Sequence, residues 1–391
     1  MIYIHYVLWL IQLYFGFFLI LPLLIWLLHL LVKRPSVVSV ASTPPDYGII
    51  VTAYQYTDQL EAVVDSILQS EYNHYMVYVV ADNCDISKLH FSDPRVVLLR
   101  PERILAGNVR SHFYAIQHFV RPHTHLTIID SDNLVESDYL SQLNSFFEAG
   151  FKAVQGVRQA KNLDTSLSRL DAARDIYYHY YDGKLLFKIG SSATLAGSGM
   201  AFTTSLYRQC LEGREVDGAG FDKVLQHAIV SRGERIAFAD EAVVWDQKTA
   251  ESQQLVNQRA RWINTWFKYF TLGFGLMKQG VVKTDWNRFM FGVVLLRPPL
   301  FIFLLLSLIF AFVNIWLFPT LTLIWVLGIL LFTLGFMMAL WAGPTSPAIY
   351  RALKGIPTFV FYQIVSLLKA SRANQISVST KHKSSSKKDT P

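Results

Sequence analysis

Asp130-Ser131-Asp132 directly follows the apolar run Leu126-Thr127-Ile128-Ile129. A short β-branched run reads as a buried strand. Two carboxylates at its carboxyl end offer oxygen ligands to a hard divalent cation. Mg²⁺ takes one or two protein carboxylates and completes its shell with water and phosphate oxygens. Ligands of open α/β sheets bind outside the carboxyl ends of the strands, so the pair suits a metal–diphosphate site. The tripeptide also suits a solvated Asx turn, and the rest of the chain has to decide between the two.

Asp82, in Ala81-Asp82-Asn83-Cys84-Asp85, closes another apolar run. A carboxylate there can accept hydrogen bonds from a nucleobase N–H or a ribose hydroxyl, or simply close the strand as an Asx turn. Two acidic strand ends in one sheet would form a cleft. Gly197-Ser198-Gly199-Met200 is a small-residue loop that permits close backbone approach by a ligand. In Gly218-Ala219-Gly220-Phe221-Asp222-Lys223 the glycines make a loop from which Asp222 can cap the following helix. Gln258, Arg261 and Trp262 stand at i, i+3 and i+4 and share one helical face. The guanidinium suits phosphate oxygens and the indole offers a flat face to a sugar. An interfacial helix with an aromatic-belt residue would use the same pattern.

The elements that must carry these residues alternate. Tyr47–Ala53, Tyr75–Ala81, Val96–Leu99 and Leu126–Ile129 read as strands. Leu60–Leu68, Val109–Val120 and Asp138–Glu148 have helical spacing. This alternation over residues 47–160 predicts an α/β, Rossmann-like, mostly parallel sheet covered on both faces. Residues 164–188, Asp222–Ser231 and Ser252–Phe270 read as further helices.

Only 17% of the 391 residues are charged and 52% are hydrophobic, against ~25% charged in ordinary soluble domains. The deficit lies in residues 6–32 and 292–342. A helix needs ~20 apolar residues to cross a bilayer. Residues 6–32 read as a retained anchor, because the run is long and Lys33-Arg34 follow where small residues would mark cleavage. Two more spans are expected at about 298–317 and 321–342, joined by an uncharged connector at Phe318-Pro319-Thr320. The basic residues after the first span, before the second and in the tail then share one side, which predicts a cytoplasmic domain and tail with the amino terminus outside. Residues 354–369, broken by Gly355-Ile356-Pro357, are expected to lie in the interface rather than to span. The net charge of +7 reads as attraction to anionic membrane lipids. No basic stripe marks the polar middle, which argues against nucleic acid as a partner. Cys84 and Cys210 belong to no metal-spaced cluster and are assigned to packing.

The expected organisation is an anchor over 1–34, a cytoplasmic catalytic domain over 45–285, two spanning helices with a preceding interfacial segment over 286–345, an interfacial amphipathic helix over 346–372, and a basic disordered tail over 373–391.

In order and approximate spacing, Ala81-Asp82-Asn83-Cys84-Asp85, Asp130-Ser131-Asp132, Gly197-Ser198-Gly199-Met200, Asp222 and Gln258-Arg259-Ala260-Arg261-Trp262 resemble the membrane-bound family 2 glycosyltransferases, the cellulose, chitin, hyaluronan and poly-N-acetylglucosamine synthase group. The resemblance covers about residues 45–320. It implies a GT-A fold, a nucleotide-diphospho-sugar donor, usually UDP-linked, Mg²⁺ or Mn²⁺, and inverting transfer to a glycan or lipid-linked acceptor at the plasma (inner) membrane. By resemblance Asp222 would be the catalytic base, Asp130 and Asp132 would serve the metal and the diphosphate, and Asp82 would contact the base. Arg261 would lie on the donor side, with Gln258, Trp262 and Gly199 on the acceptor side. The chain departs from the pattern at Gly220-Phe221-Asp222, where the family carries Glu-Asp. It departs at Thr52-Ala53-Tyr54-Gln55-Tyr56, where Tyr54 or Tyr56 would stack on the base, and at Leu105-Ala106-Gly107-Asn108, where the family is Lys-rich. Only two spans follow the catalytic region, so a helix pair from a partner subunit could complete a channel. Single-sugar transfer to a ceramide- or polyprenyl-type lipid and a non-catalytic nucleotide-sugar scaffold are the competing readings. A transporter is poorly supported, since the spans carry no midplane carboxylate pair.

Overall fold

The computed structural model describes residues 2–32, 44–216 and 218–373. Lys33 and Arg34, most of the linker expected at 35–46, and the tail from 374 lie outside the described residues. The elements run α1 (Ile2–Leu31), β1 (Tyr47–Tyr54), α2 (Leu60–Leu68), β2 (Tyr75–Asp82), β3 (Val96–Leu99), α3 (Asn108–Gln117), β4 (His125–Asp130), β5 (Leu134–Val135), α4 (Tyr139–Glu148), β6 (Ala153–Ala160) and α5 (Ser166–Tyr178). A π-helical stretch, His179–Leu185, leads into the short α6 (Leu186–Lys188). There follow β7 (Met200–Thr203), α7 (Thr204–Leu211), α8 (Phe221–Ser231), β8 (Ile236–Asp246), α9 (Ser252–Tyr269), α10 (Leu272–Val282), α11 (Trp286–Leu296), α12 (Leu300–Leu317), α13 (Pro319–Ala342), α14 (Pro347–Ala352) and α15 (Ile356–Lys369).

All eight strands form one sheet in the order β3-β2-β1-β4-β7-β6-β8-β5. The β3-β2-β1-β4 half is parallel, as the alternation predicts, and β7 inserts antiparallel between β4 and β6. Every residue of β2 is buried, which is why it reads as a continuous apolar run rather than an alternating one. One face of the sheet packs against α2 and α4 through residues such as Val63, Val64, Leu140 and Leu143. The other packs against α3, α7, α8 and the apolar helices.

The segment expected to be one helix over 164–188 changes pitch at His179. The wider π turn brings Gly183 against the Phe238 ring, where a Cβ would stand 2.5 Å from a ring carbon. α1, α12 and α13 are each long and apolar enough to cross a membrane. They pack together around a polar clamp in which Asn314 Nδ2 (2.7 Å) and Trp325 Nε1 (2.8 Å) both donate to Gln12 Oε1. Tyr181 Oη donates to the Gly335 carbonyl at 2.8 Å, and Arg297 pairs with Asp182, tying the sheet domain to α13 and to the start of α12. α15, with 14 residues, is shorter than a span requires. It packs against α9 and buries Gln363 and Ser366.

Candidate functional site

The register aligns Thr52 of β1 with Asp130 of β4, and Tyr54 of β1 with Asp82 of β2. The carboxyl ends of these strands therefore share one rim. A cleft of about 850 Å³ opens there. It is lined by Asp130, Ser131 and Asp132 from the end of β4, Tyr54 at the end of β1 and Tyr56 just beyond it, Asp222 from the first turn of α8, and Gln258, Arg261 and Trp262 from α9. The Ser198 hydroxyl accepts the Asp130 backbone N–H at 3.0 Å and fixes the turn that aims the first carboxylate.

Asp222 is positioned by a glycine. Gly220 adopts φ +103° at the head of α8, and a Cβ there would stand 2.4 Å from Thr265 Cγ2 of α9. Only glycine allows both this backbone and this approach. Lys223 Nζ lies 3.2 Å from the Asp222 carboxylate.

Two expected residues lie elsewhere. Asp82 is buried and off the cleft wall, and its carboxylate accepts the backbone N–H groups of Leu105 (2.9 Å) and Ala106 (2.7 Å). Through these two bonds it anchors the 105–106 loop. Gly199 is buried inside the sheet, its N–H donating to Ile128 O at 2.9 Å, and Gly197 rather than Gly199 reaches the cleft. Trp262 does not present a bare face, because guanidinium carbons of Arg259 and Arg174 stand 4.0 and 4.6 Å from its ring centroid.

The sequence reading missed Asp246, although it ends the apolar run Val243-Val244-Trp245 as Asp130 ends its own. Asp246 lies at the end of β8, where Lys248 Nζ reaches it at 2.7 Å. Lys248 also pairs with Asp175, and Arg174 pairs with Asp175 at 2.5 Å. Arg259, inside the Gln258-to-Trp262 motif, pairs with the buried Asp171 of α5. These pairs join β8, α5 and α9 along the wall of the cleft. Despite burial, Lys248, Arg174 and Arg158 hold the Asp175 carboxyl well below the usual range. Burial holds His179 neutral, its pKa lowered to about 4.

Asp130 and Asp132 behave in the opposite way. Burial pushes both carboxyls up to about 7. Asp132 raises Asp130 further, and Asp246 raises both; Arg158 opposes this at each, joined at Asp132 by Lys161. A clustered carboxylate pair with too little positive charge around it is chemically matched to a divalent cation. Among the described residues no three His, Cys, Asp or Glu side chains form a cage of protein ligands.

The sequence model of a family described as glycosyltransferase like family 2 matches residues 44–265. No curated protein matches the chain. Among solved structures, the mannosyltransferase PcManGT from Pyrobaculum calidifontis, in complex with GDP-Man and Mn²⁺, is similar in fold. Its TM-score is 0.58 at 15% identity, over 93% of this chain and 97% of that one. S. aureus TarS 1-349 in complex with UDP-GlcNAc aligns over 53% of this chain and 59% of its own, with 15% identity and a TM-score of 0.39.

Proposed function

The chain belongs to glycosyltransferase family 2 and is a glycosyltransferase of GT-A fold carrying three apolar helices, and from that premise we propose that it transfers a sugar, with inversion, from a nucleoside-diphosphate sugar to a hydroxyl of a glycan or lipid-linked acceptor at a membrane. The observation that carries this reading is the meeting of Asp130, Asp132 and Asp222 with Arg261 in one cleft.

Asp130 and Asp132 would hold Mg²⁺ or Mn²⁺, which when bound neutralises charge on the departing diphosphate. Arg261 adds a second cationic contact to the phosphates. Tyr54 and Tyr56 flank the base. Gln258 faces the acceptor, and Trp262, braced by Arg259 and Arg174, forms the wall beside it. The Asp222 carboxylate takes the proton of the acceptor hydroxyl. The oxygen then bonds to the anomeric carbon from the face opposite the diphosphate, and the anomeric C–O bond breaks with its electron pair leaving on the nucleoside diphosphate. General-base help of this kind contributes roughly 10²–10⁴-fold. The GDP-Man and Mn²⁺ held by the P. calidifontis enzyme support the donor and metal classes. UDP-linked donors are the usual family choice and remain the first assignment.

The division into anchor, catalytic domain, spanning pair and interfacial helix is retained as a proposal. The catalytic domain and tail then face the cytoplasm from the plasma membrane. Purified chain in nanodiscs should release nucleoside diphosphate from one member of a panel of UDP- and GDP-sugars in Mn²⁺ or Mg²⁺, and lose that release in EDTA. Turnover untouched by EDTA, or no donor bound by any metal-loaded sample, would refute the reading.

A further inference from the structure

The cleft does not end at the carboxylates. It continues between α12, α13 and α15, where its wall is formed by Leu300, Leu304, Phe332, Phe336, Ile356 and Val360. Phe332 lies ten residues inside the end of α13 at Ala342. At ~1.5 Å per residue that is about 15 Å along the helix axis, half of a ~30 Å hydrocarbon core. Thr333 of α13 and Ile356 of α15 line this extension and are themselves solvent-accessible, so the extension is open beside these two helices, where a bilayer would surround α13.

The lining decides what fits. A hydrated glycan carries hydroxyls that must find hydrogen-bond partners when buried. Along the α13 stretch of this extension Thr333 is the one polar side chain, and its hydroxyl is already donated to Ile329 O at 2.8 Å. A hydrocarbon tail needs no such partners. Charge decides the head. Seven Asp side chains face seven Arg or Lys side chains along the whole cleft, and a donor diphosphate with its divalent cation adds little net charge. That leaves no cationic surplus to hold an acceptor phosphate. At the polar end, the buried Trp266 Nε1 and Gln226 Nε2 have no protein hydrogen-bond partner, and both residues line the cleft. Two buried donors in the same cleft as Asp222 suit the oxygens of a neutral polar head.

We propose that the acceptor is a neutral, hydroxyl-headed lipid that enters sideways from the bilayer between α12, α13 and α15, lays its hydrocarbon tail along Leu304, Phe332 and Phe336, and presents its hydroxyl at Asp222. This rests on the transferase reading for the role of the lipid, while occupancy of the groove can be measured without it.

The test uses full-length chain in phosphatidylcholine nanodiscs doped with a diacylglycerol bearing a diazirine in its acyl chain. After photolysis, adducts are mapped by mass spectrometry. Adducts should concentrate on 300–304, 332–336 and 356–360 and fall at least tenfold in Thr333→Trp and in Leu304→Trp, with Mn²⁺-dependent donor binding unchanged in both. The diazirine phosphatidate should label these segments more weakly than the diacylglycerol. Labelling spread evenly over the outer faces of α1, α12 and α13 and insensitive to either tryptophan would overturn the proposal, as would stronger labelling by phosphatidate. Labelling needs no donor. Intact groove labelling in a chain that binds no nucleotide sugar would count against the transferase reading and not against the groove.

Discussion

Replacing Asp132 by Asn separates the stability cost of the carboxylate cluster from its use. In the metal-free chain at pH 8 Asp130, Asp132 and Asp246 are crowded together. A carboxyl raised from 3.8 to about 7 corresponds to a ceiling of ~4 kcal/mol, at about 1.4 kcal/mol for each whole pKa step. Water in the cleft screens part of this, which leaves about 1–3 kcal/mol. The Asp132→Asn protein in EDTA at pH 8 should therefore be more stable than the parent, with apparent Tm higher by about 2–12 °C, at ~2–4 °C per kcal/mol for a domain of this size. In Mn²⁺ the order reverses: the parent gains stability and the variant gains little, since it has lost a ligand. Differential scanning fluorimetry with and without Mn²⁺ reads both effects. A variant less stable than the parent in EDTA, or one that Mn²⁺ stabilises as much as the parent, would refute the claim that these carboxylates are held in repulsion for a cation.

The same residues set a pH dependence. Their folded pKa values lie above the unfolded ones, so the metal-free chain loses stability as pH rises from about 4 to about 7 and these groups ionise, and Mn²⁺ affinity, which needs deprotonated ligands, should fall steeply between pH 7.5 and 6 in a binding titration. Arg259 and Arg261 should separate: Arg259→Met leaves Asp171 buried beside Arg174 alone and should cost about 3–5 kcal/mol, seen as loss of folded yield, whereas Arg261→Ala should leave Tm within about 2 °C and raise the donor KM. Gly220→Ala combines a left-handed backbone with a 2.4 Å approach to Thr265; it should lower Tm and displace Asp222, with transfer falling more than donor binding.

Much of this arrangement is visible in the residues themselves, for stated reasons. β1, β2 and β4 are continuous apolar runs because both of their faces are covered, and the acidic residues that end β2 and β4 stand out against that background. The second half of the sheet has no such contrast. β6 reads Ala-Val-Gln-Gly-Val-Arg-Gln-Ala, and it slips register against β8 between Gly156 and Val157. β8 is interrupted by the exposed pair Asp240-Glu241. Asp246 was hidden with it. The pairs Arg259–Asp171, Lys248–Asp175 and Arg297–Asp182 join residues 73 to 115 positions apart, and nothing local distinguishes such a buried Arg from a solvated one. Asp82 shows the converse: its place at a strand end was legible, but its partners, two loop N–H groups more than 20 residues on, were not.

The central claim is that Asp222 removes the acceptor proton in a cleft whose donor side is built by other residues. Its most direct test is donor binding by calorimetry in Mn²⁺ alongside sugar transfer, for the parent chain and for Asp222→Asn. The account expects unchanged donor affinity with transfer reduced at least 100-fold. Full transfer by Asp222→Asn, or loss of donor binding in step with transfer, would contradict it.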